Sequence, residues 1–115
     1  MNLAEIESEI MKFSHLLDES LAYARKKVHE HAKADVAYKG KYAEAFLRVE
    51  GAGVLREQLA LTPEVLQARE EAQLASDMVK VALSAIQARR TQISALMTLL
   101  SAHRAEAEFA RTGPR

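Results

Sequence analysis

From Leu3 onward the apolar positions recur every three or four residues: Leu3, Ile6, Ile10, Phe13 and Leu17, then Leu21, Ala24 and Val28, and later Tyr42, Phe46 and Val49. That spacing places them on one face of an α-helix. The step from Leu17 to Leu21 inserts an extra interval of four, a stutter that locally unwinds a supercoil. With Ser14, His15, Asp18, Glu19 and Ser20 around it, the stutter predicts a bend or short hinge near residues 14–20. Asn2 followed three residues later by Glu5 reads as a capping box. Gly51 suits the far end of the same helix. The first helix is therefore expected over about residues 3–51.

One break interrupts the pattern, from Gly51-Ala52-Gly53 to Thr62-Pro63. Residues 52–62 are read as a turn, with room for a short helical turn inside it. Thr62-Pro63-Glu64 is a strong start: a capping hydroxyl, a proline in the first turn, and an acid at the positive end of the dipole. The second helix is expected over about residues 63–111. It carries Val79, Leu83, Ile86, Ile93, Met97 and Leu100 at near-heptad spacing, with Arg90 and Arg104 on the same stripe. Met78, Val81, Ala82 and Ala85 widen this surface beyond what one partner helix would cover. The six larger residues, Val79 to Leu100, are accordingly the predicted oligomer interface. The expected fold is all-α: a long antiparallel helical hairpin, one domain over residues 1–115, assembling into a homo-oligomer.

Composition strengthens the case for assembly. Of 115 residues 49% are apolar, but many are alanine, and the aromatics are three tyrosines and three phenylalanines with no tryptophan. A two-helix hairpin buries one stripe per helix and is marginal alone. The absence of cysteine excludes disulfides and cysteine-ligated metals, and fits a reducing cytoplasm. No run of about 18 apolar residues is present to span a membrane. Met1-Asn2-Leu3-Ala4-Glu5 lacks the form of a signal peptide. The expected location is the cytoplasm.

Net charge is zero, yet the charges fall in blocks. Residues 1–20 hold five acids and one base, residues 21–56 eight bases and four acids, residues 57–79 five acids and one base, and residues 80–115 six bases and two acids. Folding back at the break sets each acidic block beside a basic one. Such exposed pairs each contribute little, but their order favours an antiparallel hairpin. A local basic stripe is enough for nucleic acid even at zero net charge.

Enzyme signatures are missing: no phosphate-cradling glycine loop, nucleophile elbow or cysteine nucleophile. If the chain folds back at the break, His15 comes opposite residues 99–103, so His15 and His103 approach, with Glu19 a possible third ligand. The alternative is polar surface histidines, as for His29 and His31. Without a dense ligand motif, no metal and no cofactor are assigned.

Arg25, Lys26, Lys27, Lys33, Lys39, Lys41 and Arg48 interleave with Tyr23, Tyr38, Tyr42 and Phe46. Cations neutralise phosphates, and aromatic rings offer stacking surfaces to unpaired bases. Tyr38, Tyr42 and Phe46 share one helical face, with Lys39 and Lys41 on its shoulders. The competing reading makes the aromatics a core stripe and the lysines its solvated rim. Arg89 and Arg90 form a second basic pair, either bonded to an acid of the partner helix or facing an anionic ligand in an assembly.

The run from Ala37 to Gly51, AYKGKYAEAFLRVEG, looks like a segment common in small helical early proteins of bacteriophages. The layout of the whole chain resembles the phage recombination mediators of the UvsY type. Phe46-Leu47-Arg48-Val49-Glu50 is similar to a leucine–arginine–isoleucine–glutamate run of that family, and the segment from Ala82 to Ile93 is similar to its C-terminal helix. The resemblance implies a ring-forming homo-oligomer that binds single-stranded DNA and helps a strand-exchange recombinase displace the single-strand-binding protein. The basic cluster that follows the matched glutamate in the family is represented here by Arg56. The expected DNA-binding set is thus Arg25, Lys26, Lys27, Lys33, Tyr38, Lys39, Lys41, Tyr42, Arg48, Arg56, Arg89 and Arg90. The alternative functions are a phage or bacterial helical adaptor or inhibitor that docks another protein through its apolar face, and a structural coiled coil.

Overall fold

The computed structural model describes residues 1–113 and is all-helical: α1 (Leu3–Arg48), α2 (Gly53–Ala60) and α3 (Pro63–Thr112), with no strand among the described residues.

The start of α1 is capped where the sequence places it. The Glu5 backbone N–H donates to Asn2 Oδ1 at 2.8 Å, and the Asn2 side-chain amide donates to Glu5 Oε1 at 2.9 Å. The reciprocal half of the box is made between side chains, while the Asn2 carbonyl accepts the first helical bond, from Ile6.

The hinge expected near residues 14–20 is not there; α1 is helical without interruption through that segment. The reason lies in which residues turn inward. Phe13, Leu17, Ser20, Ala24 and Lys27 are all buried or half-buried, and their spacing alternates four and three with no stutter. Ser20 takes the inward place alongside Leu21, and its hydroxyl donates to the Leu16 carbonyl at 2.9 Å. A serine bonded back to its own helix stays within it.

One boundary also needs correcting. The first helix ends at Arg48 rather than 51, and Gly51 follows with φ +132. The short helical turn for which residues 52–62 had room is the eight-residue helix α2. Val54-Leu55-Arg56-Glu57-Gln58-Leu59 contains mostly good helix formers and no breaker, and Ala60 anchors the end of α2 by being wholly buried. α3 opens as expected, with the Val65 N–H donating to Thr62 Oγ1 at 3.3 Å.

Packing divides the chain into two units, one made of residues 1–22 and those from Leu83 onward, the other of Tyr23–Ala82. In the first, Ile6, Ile86 and Leu100 are buried, and the Arg89 guanidinium lies 5.8 Å from the centre of the Phe13 ring. In the second, the buried positions are Ala24, Ala60, Val65, Ala68, Ala72 and Ala82. Five alanines and one valine bury little area each, but their small size lets helix backbones approach closely. In this unit the end of α1 borders the beginning of α3, an antiparallel arrangement.

Candidate nucleic-acid interface

Within the unit Tyr23–Ala82, the inward positions of α1 sort the basic residues into two classes. Ala24, Lys27, His31, Tyr38 and Tyr42 face inward or sit half-buried, so Arg25, Lys26, His29 and Lys33 fall on the outer face. Arg25, His29 and Lys33 follow at intervals of four, with Lys26 beside them, and all four are exposed. Residues three and four apart are neighbours on a helix surface, so these side chains form one patch. None of the four is in an ion pair among the described residues. His29, which the sequence predicts to be an ordinary surface histidine, belongs to this patch. Its place midway between Arg25 and Lys33 was the available signal.

Other basic residues of the expected set have partners inside the chain. Lys27 is half-buried, its side chain 18% exposed, and its ammonium lies 3.1 Å from Glu30 Oε2 and 5.1 Å from the centre of the Tyr23 ring. The hydrogen bond to Glu30 raises the Lys27 pKa above the ordinary lysine value, against an opposing effect of burial. Lys39 pairs with Asp35 at 2.9 Å, which likewise raises its pKa. Arg56 donates from Nε to the Phe46 carbonyl at 2.9 Å and covers the Phe46 ring at 4.2 Å. Arg89 donates to Gln92 Oε1 at 3.1 Å, while Arg90 is exposed.

Tyr38, Tyr42 and Phe46 form the expected file on one face, with successive ring centres 6.5 and 6.1 Å apart. All three are half-buried, so they line the interior edge of α1 instead of standing clear of it. Lys41 and Arg48 open onto a groove of about 400 Å³ between the end of α1 and the start of α3. Glu44 and Glu64 line the same groove and offset the two cations.

The predicted interface set on α3 divides as well. Ile86 and Leu100 are buried within the chain, Val79 and Ile93 are half-buried, and Leu83 and Met97 are exposed. His15 Nε2 lies 3.2 Å from Glu19 on an exposed stretch of α1, and His103 is half-buried on α3. Among the described residues there is no group of three or more histidines and acids placed to hold a metal ion. No described helix is long and apolar enough to cross a membrane.

No protein-family model, curated protein or solved structure matches this chain. The functional reading therefore rests on the side chains themselves.

Proposed function

We propose that this chain is a non-enzymatic protein that binds single-stranded DNA through the outer face of α1, assembles with copies of itself, and acts as a recombination mediator. In that role it presents the strand to a strand-exchange recombinase and helps displace the single-strand-binding protein. The observation that carries the DNA reading is the patch of Arg25, Lys26 and Lys33, with His29 among them, exposed and in no ion pair among the described residues. Over these nine residues the helix rises about 12 Å, so a protomer covers only a short stretch of strand. Repetition in an assembly would multiply such weak contacts through effective concentration.

The test is binding to a labelled single-stranded oligonucleotide across a salt series. Each neutralised phosphate contributes a slope of about −0.7 in log K against log salt. The triple variant Arg25→Ala, Lys26→Ala, Lys33→Ala is expected to remove roughly two units of slope per protomer. Absence of binding at low salt would sink the proposal.

A second reading has its own supporting observation. Leu47, Val54, Leu55 and Leu59 are all exposed where α1 gives way to α2. An adaptor that docks a partner protein there would lose its partner on Leu55→Asp with Leu59→Asp, and keep it when the three cations are neutralised.

A further inference from the structure

The four histidines of the chain differ in what lies three and four residues away, the positions that are neighbours on a helix surface. His15 has Glu19 at 3.2 Å, His31 has Asp35 four residues on, and His103 has Glu106 three residues on. His29 has no acid at any of these positions. Its neighbours are Arg25, Lys26, Ala32 and Lys33. The acid next to it in sequence, Glu30, is turned to Lys27, with Oε2 3.1 Å from the ammonium. The packed side of α1 in this unit carries Ala24, Lys27 and His31, whereas His29 is exposed on the other side. The charged groups that face it are therefore those of α1 alone: Arg25, Lys26 and Lys33.

We propose that His29 is the pH-dependent member of this patch: it takes up a proton when the patch binds single-stranded DNA, so that acid strengthens binding. This rests on the DNA part of the proposed function and says how that same site is regulated. A phosphate oxygen only accepts hydrogen bonds. A neutral imidazole offers it one N–H and one acceptor nitrogen, whereas the imidazolium offers two N–H donors. The proton comes from solvent and goes to the ring nitrogen that was the acceptor; no other bond changes. Imidazole is the side chain whose charge changes between about pH 5 and 8. Arginine and lysine keep theirs throughout that range.

Position couples the proton to the strand. Arg25 and Lys33 each lie about 6 Å along the helix axis from His29, inside the Debye length of about 8 Å at physiological salt. Like charges so placed repel. A fourth cation is therefore opposed on the bare patch and favoured once phosphates lie across it. The coupling is reciprocal: whatever acid does for DNA affinity, bound DNA does for the proton. One added phosphate contact steepens log K against log salt by about 0.7 for a single strand. Between about 1 M and 0.1 M salt, that contact amounts to roughly fivefold in affinity.

The experiment uses the full chain and oligothymidylate, whose bases neither gain nor lose a proton between about pH 5.5 and pH 8, the range in which histidine titrates. The wild type is expected to bind roughly fivefold tighter at the lower pH, with a salt slope steeper by about 0.7 per protomer. His29→Gln is expected to lose this gain on acidification. His29→Arg, a fixed cation, is expected to bind tightly at both pH values. His15→Gln removes an exposed histidine of the other unit and is expected to keep the wild-type pH dependence. Calorimetric titration in two buffers of different ionisation enthalpy should show proton uptake on binding by the wild type, which His29→Gln loses. Equal affinity and slope at both pH values, or a pH dependence that survives His29→Gln, would overturn this inference and leave the DNA reading standing. Absence of binding by the wild type at low salt at either pH would remove both.

Discussion

Arg56 lies with its guanidinium carbon 4.2 Å from the centre of the Phe46 ring and donates from Nε to the Phe46 carbonyl at 2.9 Å. One side chain of α2 thus satisfies a carbonyl in the last turn of α1, where helical partners run out, and covers the ring below it. Arg56→Ala is expected to lower stability by about 1–2 kcal/mol, from the lost hydrogen bond and cation–π contact together. Arg56→Lys should recover only part of this, because an ammonium cannot both stack as a plane and donate sideways. Thermal melts of the two variants check the order. Oligonucleotide binding should fall less on Arg56→Ala than on Lys33→Ala, since Arg56 is engaged within the chain.

Two glycines should respond in opposite ways to alanine. Gly51 has φ +132, a backbone region that side chains with a Cβ rarely enter, so Gly51→Ala is expected to cost about 1–3 kcal/mol. Gly40 lies inside α1, and a Cβ there would meet nothing within 4 Å. Gly40→Ala is expected to stabilise the protein by about 0.5–1 kcal/mol through helix propensity. Chemical denaturation of both variants against the wild type reads the sign directly.

Thr62 sets the first residue of α3. Its hydroxyl accepts from the Val65 N–H, and Val65 is one of the two large side chains that are completely buried. Thr62→Ala is expected to cost about 1 kcal/mol, with Thr62→Ser close to wild type. Equal melting temperatures for the alanine variant and the wild type would contradict the role of this cap.

Lys27 gives a pH dependence with a definite sign. Its folded pKa is raised above 10.5, chiefly by the hydrogen bond to Glu30. A raised pKa means the folded state holds the proton more tightly, so the stabilisation is complete below the ordinary lysine value and lost as pH rises through the folded one. The difference in melting temperature between wild type and Glu30→Gln should therefore stay constant around neutrality and shrink once pH passes 10.5. A difference that instead grows in that range would contradict the assigned cause.

The sequence alone determined where α1 and α3 begin and that both are long helices. Those features are local: a capping side chain reaches only three residues, and apolar spacing of three and four fixes a face whatever lies opposite. It also determined which residues share a side, so Tyr38, Tyr42 and Phe46 form the file that their spacing predicts. Tertiary structure decided which side faces inward. On α3 apolar residues lie on more than one face, and periodicity gives the angle between faces but not which one a neighbouring helix covers. Ile86 and Leu100 were therefore grouped with Leu83 and Met97 as one surface, although packing buries the first two and leaves the others exposed. On α1 the inward stripe includes Ser20, Lys27 and His31, polar residues that a count of apolar positions passes over. Their place inward is what separates Lys27, held by Glu30 and Tyr23, from Arg25, Lys26 and Lys33, which remain open to solvent. The basic stretch was legible in the chain; its division into engaged and available charges required the fold, because that depends on which way each side chain points from a packed helix.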